Sequence, residues 1–296
     1  MTTATIPAAP PAAAVPRHPR RRRGGRYSVA RTARYLLLFG ILAFVLIPAY
    51  VLFVTSFKPA AETSSSAAWL LPEQWTTAGW RTAWNKLSEP LFRTFALAIP
   101  GSLLPAMLGS MNGFVLSRWR FPYANVVFAL MLFGMFIPYQ AVMIPLRQLT
   151  MGIGLGSGIP TLILVHTIFG LPICTLIFRN YYESIPMDLM EAARVDGAGM
   201  LRTYASIVLP LSAPGFVVTI IWQFTSVWND FLFAIFLSNT QNGPVTISLQ
   251  ALAGGQLSNY SASMAGALIA SLPTLLVYVL LGRYFVGGLM SGSVKG

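Results

Sequence analysis

The chain holds only eight acidic residues in 296, and four of them stand where their chemistry asks for a reason. Asp188, Glu191 and Asp196 fall together in "SIPMDLMEAARVDGAG", and Asp230 lies inside the apolar run "WQFTSVWNDFLF". A charge at the centre of a membrane helix costs about 2.5 to 3.5 kcal/mol on insertion scales, so Asp230 needs compensation. Gln223, Ser226 and Asp230 are spaced three and four apart and share a helix face, with aromatic rings at Trp222, Trp228 and Phe231 close by. Hydroxyl-rich ligands need such acceptors and donors, and their apolar ring faces pack on aromatics. The alternative is structural: Asn229 and Asp230 cap a break in the helix, and Trp228 marks the interface. Tyr139 and Gln140, between Pro138 and Pro145, offer further polar groups, although a Pro-bent span needs such groups for its own backbone.

Hydrolytic, redox and metal chemistry find little support. His166 has no Ser, Cys or carboxylate near it in sequence and reads as a packed residue rather than a catalytic one. Cys174 is the single cysteine, which excludes an internal disulfide, and no Cys/His cluster has metal-ligand spacing. The stretch "GIGLGSG" misses the G-x-G-x-x-G spacing and follows no strand, so it reads as an external turn.

The elements that carry these residues are membrane helices. At 55% hydrophobic and 9% charged, with a mean hydropathy of +0.64, the chain is too apolar for an ordinary soluble domain and is expected in the bilayer. Six stretches are long enough to cross: Tyr35 to Phe57, Phe92 to Ser117, Tyr123 to Leu146, Ile159 to Phe178, Leu209 to Leu237 and Ala262 to Phe285. The net charge of +12 does not point to nucleic acid, because eight of the twenty basic residues sit in Arg17 to Arg34, just before the first span. Residues 1–34 read as a disordered, basic, Pro/Ala-rich tail without an apolar face. The first span lacks a small-residue cleavage site and is expected to remain as a true transmembrane helix. Counting Lys and Arg on alternate sides puts both termini, and the carboxylate-rich loop, in the cytoplasm of a multi-pass cell-membrane protein. The loop from Lys58 to Leu91 is then external, with Trp69, Trp75, Trp80 and Trp84 as an interfacial aromatic belt or a docking surface. Prolines within several spans predict bent helices.

Around the acidic cluster, Ser184 is expected to cap a helix whose first turn holds Pro186. Ile185, Leu189, Ala192 and Ala193 would form one face, and Asp188, Glu191 and Arg194 the other. Gly197 supplies the left-handed residue that ends it. Surface-binding helices favour basic polar faces and bulky apolar ones. Alanines and carboxylates instead suit a protein partner with Lys or Arg.

The spacing is specific: E-A-A at 191–193, Gly197 four residues beyond Ala193, then Ile207, Leu209 and Pro210. This resembles the permease subunits of binding-protein-dependent ABC importers, and "FIPYQAVMIPL", "WNDFLFA" and "GLMSGSVKG" are similar to the maltose-type carbohydrate branch. The likeness covers Tyr35 to Gly296 and implies an all-α integral membrane fold, that of type I importer permeases: a domain over 35–296 with six transmembrane helices and a cytoplasmic coupling helix. It implies that residues 184–199 seat in a cytoplasmic ATPase, with Glu191, Ala192, Ala193, Asp196 and Gly197 forming the coupling motif. A second homologous permease, two ATPase subunits and an extracytoplasmic sugar-binding protein are the implied partners. The segment from Ser238 to Ser261 corresponds to one that reaches into the binding protein. The chain has no G-x-x-x-x-G-K-[ST], so ATP-Mg is expected on the partner ATPases and no cofactor on this chain. Its segments look most like glucose or mannose importers. Rival readings are the same architecture carrying oligosaccharides or a non-sugar solute, and an intramembrane enzyme, which would need a paired nucleophile and base within the spans.

Overall fold

A computed structural model describes residues 26–64, 67–119, 121–254 and 259–291, and every regular element among them is helical. In chain order these are α1 (Arg26–Ser56), α2 (Ala78–Arg118), α3 (Ala124–Phe133), α4 (Tyr139–Gly152), α5 (Ile159–Glu183) and α6 (Met187–Val195). There follow α7 (Met200–Thr203), α8 (Leu209–Leu211), α9 (Ala213–Trp228), α10 (Leu232–Leu237), α11 (Val245–Ala253) and α12 (Tyr260–Ser291). Contacts divide the chain between Ala49 and Tyr50, and the architecture below is that of the unit from Tyr50 onward.

Among the described residues, four helices are long and apolar enough to cross a membrane: Ala30–Ser56 of α1, then α2, α5 and Tyr260–Gly282 of α12. Two bent pairs raise the number to six if each is one span: Ala124–Phe136 with α4, turning by 98°, and Met200–Leu211 with α9, turning by 76°. The third and fifth expected spans are therefore broken rather than simple helices, and each break has a proline cause. A residue before proline is pushed out of the helical region. Ile137, before Pro138, is accordingly extended at φ −69°, ψ 120°. In the fifth span Pro210 offers no amide to the carbonyl four residues back, and residues Tyr204–Val208 widen into a π-helical turn before it. Pro214 then sits in the first turn of α9, where its missing N–H costs nothing. The same expected span breaks again after Trp228, before α10.

Other boundaries also move. Arg26 to Arg34, expected in the tail, are helical, since the breakers Gly24 and Gly25 lie before them; the rest of the tail, 1–25, lies outside the described residues. The loop after Lys58, expected to be external, ends at Ala78, because α2 runs 41 residues, about 60 Å at ~1.5 Å per residue and twice the hydrocarbon thickness. Trp80 and Trp84 thus lie on a helix. The segment from Ser238 to Ser261 is not a plain loop either: α11 occupies its middle, with Val245, Ile247 and Leu252 buried.

The packed centre is α2 against α5, α9 and α12. Small residues let α2 and α5 approach closely: a Cβ on Gly109 would stand 2.5 Å from the Cβ of Cys174, so no side chain fits there. Leu97, Ala98, Leu162, Val165, Val227, Ala262 and Ala265 close the core on one side. Phe114, Phe178, Tyr182, Met190 and Val208 form a second cluster beneath α6.

Candidate functional site

Where the third and fifth spans break, they leave a cleft of about 500 Å³ between the start of α4, the first half of α5, and the stretch from α9 into α10. Its polar lining is Tyr139, His166, Gln223, Ser226, Asn229 and Asp230, with Trp222, Phe169, Phe231 and Phe233 supplying aromatic walls. No Lys or Arg lines it. The expected face of Gln223, Ser226 and Asp230 does open onto this space.

The side chains differ in what they do there. Asp230 caps α10, its Oδ1 accepting the Phe233 amide at 3.3 Å and its Oδ2 the Ala234 amide at 3.1 Å, so the capping alternative is correct as geometry. A cap at a helix N-terminus also supplies the compensation that a carboxylate within a span requires. Asn229 ends α9, donating from Nδ2 to the Thr225 carbonyl at 2.9 Å. Gln223 is buried and donates to the backbone carbonyl of His166 at 3.3 Å, in space left by the absent side chain of Gly170. Ser226 is exposed to the cleft. Tyr139 packs on Phe233, with ring centroids 5.3 Å apart.

Two expected pathway residues lie elsewhere. Trp228 is 2% exposed, donates its indole N–H to the Ala270 carbonyl at 2.9 Å, and packs on Phe95 and Phe224. It holds α9 to α12. Gln140 is exposed and lies outside the cleft lining, one position around α4 from Tyr139. His166, read from the sequence as a packed residue, is buried against Phe233 and also lines the cleft. It stands on a different helix from Asp230, 64 positions away, yet its Nε2 lies 3.5 Å from Asp230 Oδ2. The available signal for that proximity was an ionisable side chain within an apolar span.

The second constellation is α6. Its inner face holds Met190 and Ala193, both buried, while Leu189, Ala192 and Val195 turn outward, Val195 at 87% exposure. The expected single apolar face is therefore split, because the helix is anchored through Met190. Asp188, Glu191, Arg194 and Asp196 are all exposed beside the outward residues. Ser184 does not cap α6: its hydroxyl turns back to the Tyr181 carbonyl at 2.6 Å, at the end of α5, and Pro186 occupies the cap position. Gly197 adopts φ +73° and ends the helix as the sequence requires.

The approach to α6 is cross-braced. Arg118, the last residue of α2, donates to the carbonyls of Tyr182 and Ile185, and so ties the end of α5 to α2. About two turns inside, Ser110 of α2 meets the hydroxyls of Tyr182 at 2.5 Å and Tyr204 at 2.8 Å, and Ser212 donates to Tyr182 at 2.9 Å. The chain before α6, the π-helical turn after it and the 76° bend at Ser212 thus share one hydroxyl cluster.

A membrane-spanning helical chain with a broken-helix cleft and an anchored, outward-facing acidic helix has the form of a transport subunit rather than an enzyme. Residues 101–289 match the family described as the binding-protein-dependent transport system inner membrane component, and the chain belongs to that family. The xylose/arabinose import permease XacI of Haloferax volcanii is 33% identical over 88% of this chain and 93% of its own length. The glucose import permease GlcU of Saccharolobus solfataricus is 31% identical over 90% of this chain and 97% of its own. In fold, the chain is similar to a solved bacterial ABC transporter that imports the acidic polysaccharide alginate. That match has a TM-score of 0.72 at 22% identity and covers 92% of this chain and all of the other.

Proposed function

We propose that this chain is one of two permease subunits of an ATP-driven importer of a neutral sugar such as glucose or mannose, half of whose path includes the cleft at Asp230. The observation that carries the reading is the pairing of that cleft with α6. One is polar, uncharged but for a single carboxylate and an imidazole, and walled by aromatics. The other presents Leu189, Ala192 and Val195 among carboxylates, a surface suited to a protein partner bearing cations. Both termini and α6 face the cytoplasm, where residues 184–199 seat in an ATPase. ATP-Mg is held by two such subunits; a second permease completes the path, and a binding protein delivers the sugar outside.

The absence of Lys and Arg from the cleft favours an uncharged solute over an anionic one. Relatives named for xylose/arabinose and for glucose support a monosaccharide, while one named for melibiose, raffinose and stachyose keeps an oligosaccharide as the alternative. Affinity purification of the tagged chain is expected to bring down an ATPase and a second permease in a 2:1:1 ratio, as one ATPase pair to each permease pair requires. Labelled glucose uptake by the complex should be suppressed by excess glucose or mannose. Suppression by maltose or trehalose alone would overturn the monosaccharide assignment and leave the importer reading standing.

A further inference from the structure

The imidazole of His166 is 4% exposed, and its Nε2 is buried without a hydrogen-bond partner among the described residues. Buried polar atoms of folded chains are nearly always satisfied, so an orphan that lines a cleft calls for a reason. Its ring is not free to turn away: Phe233 meets it edge-on at 5.6 Å, and Phe233 is itself held by Phe169 at 5.0 Å. Asp230 Oδ2 stands 3.5 Å from Nε2, too far and too poorly aligned for a hydrogen bond, while already accepting the Ala234 amide. That carboxylate oxygen retains capacity for one further donor.

We infer that His166 is a specificity-determining residue of the cleft, its Nε2 and the Asp230 carboxylate together gripping one hydroxyl group of a neutral polyhydroxy solute. An oxygen about 2.8 Å from both atoms would bridge their 3.5 Å separation from the cleft side, and since Nε2 is buried in this structure the solute reaches it only as the cleft wall yields. Only a group that accepts and donates at once satisfies both partners, accepting from Nε2–H and donating to Oδ2. A hydroxyl does this; an ammonium cannot accept, and a carboxylate cannot donate. Tyr139 and Gln223 line the same cleft, so a ring bearing several hydroxyls finds further polar groups there. The inference rests on the reading of the cleft as part of a sugar path, and it names which hydroxyl-binding atoms that path depends on.

The test compares sugars rather than variants alone. The whole complex, with its binding protein, is reconstituted in proteoliposomes, and uptake is measured for the best-imported of D-glucose, D-mannose, D-xylose and maltose and for its monodeoxy analogues. A site built to bond a hydroxyl rejects the analogue lacking it, so wild type is expected to import at least one deoxy sugar about tenfold less well. In His166→Phe the penalty at one hydroxyl position should fall towards parity, while penalties at the others, set partly by the binding protein, persist. His166→Gln, which retains a side-chain donor, should keep much of the discrimination. If the Phe variant fails to reach the membrane, His166→Ala supplies the same comparison. A variant that slows every analogue by the same factor shows a packing role and overturns the inference alone. A wild-type complex that imports none of the four sugars overturns the proposed function and this assignment with it.

Discussion

Helix α5 carries polar groups in two regions that are finished differently. Near its end, Tyr182 is fully buried and its hydroxyl is shared by Ser110 and Ser212, with Tyr204 bonded to the same Ser110. Near its start, His166 is almost as deeply buried and lines a cleft, yet its Nε2 has no hydrogen-bond partner among the described residues. The first arrangement joins α2, α5 and the chain on both sides of α6 into one braced body. The second leaves hydrogen-bonding capacity unspent at the point where two spans are broken. A machine that passes force from a surface helix to a membrane path needs stiffness at one place and adaptable polar groups at the other, and a single helix here supplies both.

The largest expected effect is at the braced end. Gly197→Val places a β-branched residue at φ +73°, where only glycine sits without strain. Nothing crowds that position, so the damage is confined to the turn after α6. Membrane levels should stay near wild type, and sugar uptake by the complex should fall at least about tenfold, because α6 is re-aimed by a strain of roughly 1–3 kcal/mol. Normal uptake would remove the coupling role of α6 and with it one side of the comparison.

The two regions were unequally legible in the sequence. Around α6, the outline followed from local chemistry: the E-A-A spacing, the helix and the glycine that ends it all lie within twenty residues. What failed there was longer in range. Ser184 looked like a cap for α6, but the carbonyl it bonds belongs to α5, and the anchoring role of Met190 depends on buried residues from α2, α5 and the π-helical turn. In the cleft, the periodicity placed Gln223, Ser226 and Asp230 on one face correctly. It could not place Trp228, since a tryptophan beside that face reads the same whether it points to a ligand or to α12. Nor could it pair His166 with Asp230, because no pattern within one span encodes which helix lies opposite. The breaks themselves were only partly visible: each proline announced a bend, but the 98° and 76° turns depend on how the halves pack.

An intermediate effect is expected at the centre of the hydroxyl cluster. Tyr182→Phe keeps the ring packed on Phe178 and Phe114 but removes the oxygen that Ser110 and Ser212 share. Ser110 keeps the Tyr204 hydroxyl and Ser212 keeps the Val208 carbonyl, so each lost bond costs about 0.5–1.5 kcal/mol. A thermal shift on the purified complex should register a lower Tm, and ATP hydrolysis should become less dependent on loaded binding protein as the brace loosens. An unchanged Tm together with unchanged stimulation would mean that the cluster is not a brace, and that the two halves of α5 are more alike than their hydrogen bonds suggest.

The smallest effect belongs to Glu191. Its carboxylate is exposed and bonds nothing within the chain's described residues, so under the proposed function any contribution comes from a cation on the ATPase partner. An ion pair at such a rim is partly screened by water and salt, and its loss changes an equilibrium by no more than about fivefold. Glu191→Ala should therefore lower uptake severalfold at most, with the deficit shrinking as ionic strength rises, because salt weakens the wild-type pair while leaving the variant untouched. The variant with Asp188 or Asp196 replaced as well is expected to add a similar increment. A loss as deep as that of Gly197→Val would show that α6 grips its partner through a buried charge, and the stiffness of the braced region would then matter less than the chemistry of its outer face.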